Sequence, residues 1–163
     1  MRTYVALANT SKEGGTSREA LQSGEQSIHT ILKEIKDNFD KTSELASSKI
    51  LVPLQQLGRE HWVLLAIETK KQESDIASMN TQPQTTATYH DSKDAIIGTM
   101  RNWGDGESMA TIEEAVKGHF GSDIQVRREY SGKQVWFDNN NCGRHTLEKL
   151  VEIMKNSFCG SNT

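Results

Sequence analysis

Residues 61–67 read His61-Trp62-Val63-Leu64-Leu65-Ala66-Ile67, and every position after Trp62 is aliphatic. A half-exposed strand alternates apolar with polar residues, and an amphipathic helix shows a polar residue within each turn. A short continuous apolar run fits neither and suits a strand buried on both faces. Just upstream, Ile50-Leu51-Val52-Pro53-Leu54 is a second such run. Gln55 to Glu60 between them reads as a turn, so the spacing predicts two adjacent strands. Thr88-Tyr89-His90-Asp91 reads as the end of a third. The stretch between, residues 70–87 (KKQESDIASMNTQPQTTA), is almost devoid of apolar side chains, holds Pro83 and predicts a polar loop or hairpin tip.

Helical periodicity surrounds these strands. Ile28, Ile31, Leu32, Ile35 and Phe39 recur at helical spacing and predict an amphipathic helix over residues 17–39, capped by Thr16 or Ser17. Ala95, Ile96, Met100 and Trp103 outline a second helix that stops at Gly104. A third, capped by Ser108 or Thr111, carries Ile112, Ala115, Val116 and Phe120. Asp123 to Tyr130 alternates as a strand, Val135-Trp136-Phe137 is a short apolar piece, and Asp138 to Asn141 is a turn cluster. The last helix starts near Cys142, with Leu147, Leu150, Val151, Met154 and Phe158 on one face. The order predicts an α+β fold, a small mixed sheet flanked by helices, in one domain over residues 1–163.

Composition narrows the function. The chain has 163 residues, 34% of them hydrophobic, with 25% charged and a net charge of −3. That charge argues against a nucleic-acid partner. Two cysteines, Cys142 and Cys159, make no disulfide framework, which favours a reducing, cytoplasmic compartment. No apolar stretch approaches a membrane span. Neither C-x2-C nor HExxH occurs, and no phosphate-binding glycine pattern or calcium loop is present, so neither a metal nor another cofactor is expected.

Cys142 carries the most chemistry. A thiol at a helix N-terminus meets the positive end of the helix dipole, which favours the nucleophilic thiolate. The plain alternative is a cysteine filling a gap in the core, and Cys159, in a polar tail, is read that way. A nucleophile needs a base. His29 and His119 fall in predicted helices, and His145 lies one turn into the cysteine's own helix. His61, opening an apolar strand beside Trp62, is the better base, and Asp91 at the end of the next strand supplies a carboxylate for its far nitrogen. His90 points to the opposite face from Asp91.

His61-Trp62, Asp91-Ser92 and Asn141-Cys142-Gly143, in that order, resemble the clan CE cysteine proteases. These are the ubiquitin-like-protein proteases, which include SUMO proteases, adenovirus protease and bacterial effector deubiquitinases. The resemblance covers residues 50–155 as a protease core, with residues 1–49 as an N-terminal helical region and 70–87 as a polar insertion. It implies a papain-like or adenain-like fold and a monomer. It makes Cys142 the nucleophile, His61 the base, Asp91 its orienting acid and Trp62 the lid over a channel for two glycines. The implied reaction is isopeptide cleavage after the C-terminal Gly-Gly of ubiquitin or a ubiquitin-like protein such as SUMO or NEDD8. The net charge favours ubiquitin, with its basic tail. The shape of the chain resembles bacterial effectors that are secreted into a host cell. The family's oxyanion glutamine lies six or seven residues before the cysteine. Here Gln134 lies eight before Cys142 and Trp136 takes the expected slot, so an Asn of 139–141 is the alternative donor. A YopJ-type acetyltransferase using the same triad and a non-catalytic module that binds ubiquitin-like proteins are the rival readings.

Overall fold

Two apolar runs in antiparallel register build the centre of the molecule. The computed structural model describes residues 2–10, 26–42, 47–56, 61–70, 84–93, 105–134 and 141–159. In chain order these residues form β1 (Arg2–Val5), β2 (Ala8–Asn9), β3 (Gln26–Ser27), α1 (Ile28–Thr42), β4 (Ser47–Gln56) and β5 (His61–Lys70). There follow β6 (Gln84–Lys93), α2 (Asp105–Phe120), β7 (Val126–Gln134) and α3 (Cys142–Cys159). Among the described residues the seven strands make one mixed sheet in the order β3-β2-β4-β5-β6-β7, with β1 also paired to β4. The α+β class read from the sequence is the class observed.

β4 and β5 pair antiparallel over their full length, from Ser47↔Lys70 to Gln56↔His61. β6 pairs antiparallel with β5, and β7 runs parallel to β6. Four strand ends therefore share one edge of the sheet: Gln56, His61, Lys93 and Gln134. The N-terminal region is not simply helical. Arg2–Val5 and Ala8–Asn9 both run parallel to β4 in one register, Val5 opposite Leu51 and Ala8 opposite Leu54. They behave as one strand interrupted at Ala6 and Leu7, and the Ala6 N–H still donates to the Leu51 carbonyl at 3.2 Å.

Strand alternation splits the buried side chains into two layers. Ile50, Val52 and Leu54 of β4, Val63, Leu65 and Ile67 of β5, and Ala87 and Tyr89 of β6 form one core with α1 and α2. Leu51 and Leu64 face the other way and pack with Leu150, Ala66, Ile153 and Met154 under α3. Each fully buried aliphatic side chain contributes roughly 1.5–3 kcal/mol by leaving water, so the doubly buried β5 anchors both layers.

Local chemistry sets the helix bounds, and several differ from the sequence expectation. α1 begins at Ile28, not near residue 17. Ser27 Oγ accepts the Thr30 N–H at 3.3 Å, the bond of an N-cap, and Gln26–Ser27 is strand. α2 begins at Asp105, so neither Ser108 nor Thr111 caps it, and Thr111 is buried within the helix. α3 begins at Cys142, with Asn141 accepting the His145 N–H at 3.0 Å. Its buried face is Cys142, Thr146 and Leu150. Leu147 and Val151, expected on that face, are 56% and 44% exposed. Gln84 to Ala87 belong to β6, so the polar stretch is shorter than 70–87. Residues 17–25, the helix expected over Ala95–Trp103 and the Val135–Phe137 piece lie outside the described residues.

The corrected face of α3 predicts a contrast. Leu150→Ala should lower stability by about 2–5 kcal/mol, the range for truncating a packed leucine. Leu147→Ser should stay within about 0.5 kcal/mol. Urea denaturation of the two variants measures both.

Candidate active site

β5 enters the sheet at His61, and the antiparallel return of β6 brings Asp91 beside it across 30 residues of chain. His61 Nε2 and Asp91 Oδ1 are 2.9 Å apart, and both side chains are buried, 4% and 1% exposed. Burial alone raises the Asp91 carboxyl. The hydrogen bond and charge of His61, with the Lys93 N–H and ammonium, outweigh it and hold the group below its ordinary 3.8. Asp91 is therefore ionised and can only accept. Nε2 must then carry the proton, which leaves Nδ1 as the basic nitrogen. The Lys93 N–H donates to the same Oδ1 at 2.9 Å.

Cys142 is the first residue of α3 and is 3% exposed. The direction of that helix follows from its two ends. Ser157 accepts the Lys49 ammonium at 3.1 Å, at the start of β4. Gly143 lies against Trp62, at the start of β5: a Cβ built on Gly143 would stand 3.6 Å from the indole Cδ1. The helix N-terminus therefore sits at the edge of the sheet that carries His61. The touching residues, Trp62 and Gly143, are the immediate chain neighbours of His61 and Cys142. Trp62 is half-buried in this contact and braces the helix start.

Strand parity adds a constraint. His61 and Asp91 share the face of Val63 and Tyr89, under α1 and α2, whereas Cys142 arrives on the α3 face. A proton passing between sulfur and imidazole has to cross the end of the sheet. Gln134 closes β7 opposite Lys93, two residues beyond Asp91. β7 advances four positions, from Tyr130 to Gln134, where β6 advances only two, from Asp91 to Lys93. Gly132, with φ +64°, sits in this bulge. This bulge lies upstream of Gln134 and leaves the eight-residue spacing from Gln134 to Cys142 unchanged; the residues 135–140 that span it lie outside the described residues. The Gln134 side chain, Trp136, Asn139 and Asn140 lie outside the described residues, and Asn141 is exposed.

The remaining histidines are elsewhere. His90 pairs with Glu129 at 2.9 Å and lines a cavity of about 220 Å³ between β6, β7 and α3, with His145, Lys149 and Glu152. His145 approaches Glu148. His29 and His119 meet edge to face between α1 and α2. Among the described residues no group of three metal-ligating side chains occurs, and no helix is long and apolar enough to cross a membrane. The sequence reading missed two residues, Tyr89 and Gln56. Tyr89 Oη lies 3.4 Å from Asp91 Oδ2, and Gln56 Nε2 lies 2.8 Å from Tyr89 Oη. Their signal was positional: Tyr89 lies two residues before Asp91 on one strand face, and Gln56 is the register partner of His61.

A mixed sheet with helices on both faces, as here, is a papain-like α+β fold. Solved structures of the Legionella pneumophila effector protein RavZ have this architecture. One aligns with a TM-score of 0.55 and 19% identity, covering 98% of this chain and 41% of that one. A second aligns at 0.51 and 21%, covering 98% and 40%. The chain thus spans about two fifths of the length of those structures, and at this identity the likeness shows the fold alone. No family model and no curated protein matches the sequence.

The depressed Asp91 carboxyl gives a pH prediction. Its contribution to stability is complete above its ordinary 3.8 and is lost as the pH falls through the lower folded value. Asp91→Asn should be less stable than the parent at about pH 7, and the gap should close towards about pH 3. Urea midpoints at the two values check it.

Proposed function

We propose that the chain is a cysteine protease of the bacterial-effector kind, acting inside a host cell on a ubiquitin-like protein, with ubiquitin the preferred partner. The observation that carries this reading is the 2.9 Å His61–Asp91 pair at the sheet edge where α3 brings Cys142. The likeness in fold to an effector protein supports it. The net charge of −3 favours a partner with a basic tail.

In this mechanism Asp91 holds the His61 ring with its Nε2 proton inward, and Nδ1 takes the proton of the Cys142 thiol. The sulfur attacks the carbonyl of the last glycine of the partner, and negative charge moves onto that oxygen. The backbone N–H of Cys142, in the first turn of α3, and the Gln134 amide donate to it. His61 then gives its proton to the leaving amine, the acyl group stays on sulfur as a thioester, and water releases it. The burial of Cys142 supports a substrate that arrives by a narrow slot, which two glycines fit and bulkier residues do not. Trp62 walls that slot where it meets Gly143.

Reaction with ubiquitin carrying a C-terminal electrophile tests the reading. A covalent adduct at Cys142 is expected, absent in Cys142→Ala and strongly reduced in His61→Ala. Acetyl transfer from acetyl-CoA without an adduct would indicate an acetyltransferase, and neither reaction a binding module. Other ubiquitin-like electrophiles, SUMO included, should react more slowly than ubiquitin. Gln134→Ala should lower kcat about 100-fold with KM nearly unchanged, because its hydrogen bond strengthens only in the transition state. A harmless Gln134→Ala with a crippled Asn140→Ala or Asn141→Ala would move the donor into the turn.

A further inference from the structure

Behind Asp91 the core holds a chain of polar groups where apolar side chains would fill the same space. Tyr89 is 1% exposed and Gln56 1% exposed. Gln56 Nε2 donates to Tyr89 Oη at 2.8 Å, and Tyr89 Oη donates to Asp91 Oδ2 at 3.4 Å. The direction of this chain is fixed from its far end. Asp91 is a carboxylate and accepts only, so the one hydroxyl proton of Tyr89 is committed to it. The oxygen of Tyr89 then has to accept, and Gln56 turns its NH2 inward to supply the donor. In this orientation Gln56 Oε1 is buried and has no hydrogen-bond partner among the described residues. A flipped amide would turn that oxygen to the Tyr89 hydroxyl and take its proton from Asp91, leaving the buried NH2 unpartnered in its place, so only the observed orientation leaves the Tyr89 proton to Asp91. A buried orphan of this kind calls for a reason, and the state of Asp91 is the reason on hand.

We propose that Gln56 and Tyr89 are positioning residues, a one-way hydrogen-bond chain that holds the Asp91 carboxylate charged and unrotated against His61. The inference rests on the triad reading above. Oδ1 takes His61 Nε2 and the Lys93 N–H, and Tyr89 is the contact that fixes Oδ2. With a partner on each oxygen, rotation of the carboxylate about its Cβ–Cγ bond is opposed, and the imidazole keeps Nε2 protonated and Nδ1 free for its task as base. The register explains why these residues serve. Gln56 sits directly opposite His61 on β4, and Tyr89 lies on the same strand face as Asp91. Neither touches a substrate; both act through Asp91.

The test uses the full chain with Tyr89→Phe, Gln56→Met and the double variant, each keeping roughly the original volume. Two readouts are compared: turnover of ubiquitin bearing a C-terminal fluorophore, and the His61 Nε2–H resonance by NMR. Tyr89→Phe should lower kcat about ten- to hundredfold with KM unchanged, since misorientation acts on the reacting geometry. Gln56→Met should lower it less, and the double variant should be no slower than Tyr89→Phe alone, because Gln56 acts through Tyr89. The His61 Nε2–H signal, downfield in the parent, should shift upfield and broaden in Tyr89→Phe, whatever the change in melting temperature. An unchanged resonance in Tyr89→Phe, or losses in the double variant that multiply, would overturn the inference. If the parent turned over no ubiquitin-like substrate, the proposed function would fail while the resonance still decided the hydrogen-bond chain.

Discussion

A strand buried on both faces has no side on which to place polar residues, and β5 meets that constraint for its whole middle. Val63, Leu65 and Ile67 enter the layer under α1 and α2, while Leu64 packs under α3. Its titratable side chains lie outside that middle, Glu68 and Lys70 towards one end and His61 at the other. The same burial requires neighbours in register on both sides, which β4 and β6 supply by antiparallel pairing. Removing β5 from this arrangement would separate the two cores and disperse the site.

The site follows from that geometry. Antiparallel return of β6 delivers Asp91 to the end where β5 begins, and parallel β7 brings the Gln134 backbone to the same edge. α3 lies along the opposite face with its N-terminus at that edge, held by Gly143 against Trp62 and, at the far end, by Ser157 against Lys49. His61 and Asp91 thus belong to one face, Cys142 to the other. His61, the first residue of β5 and the register partner of Gln56, stands nearer that end of the sheet than any other residue of its strand.

Much of this was legible in the sequence. The continuous apolar runs at 50–54 and 61–67 marked two doubly buried strands, since no other element of that length lacks a polar face. His61, Asp91 and Cys142 were legible as element ends, where short-range punctuation by turns and caps is strongest. What escaped was set by long-range packing. Parallel pairing of Arg2–Val5 with β4 leaves no local trace. The helical arc of α3 offered two apolar stripes, and only the position of the sheet selects Leu150 over Leu147 and Val151. Ser27 caps α1 because β3 ends there, a pairing with no local signal in the sequence. Gln56 and Tyr89 read as ordinary polar and aromatic strand residues, and only the register of β4 with β5 and β6 aligns them behind Asp91.

In the proposed mechanism Cys142, His61 and Asp91 work as one unit across the end of the sheet. The most direct measurement is the separation of Cys142 Sγ and His61 Nδ1 in a crystal structure of the protein, free and after reaction with a ubiquitin-derived electrophile. A separation of about 3–4 Å is expected in both, with Asp91 still bonded to Nε2. A separation beyond about 6 Å in both crystals, with the ring turned into the α1–α2 core, would contradict it.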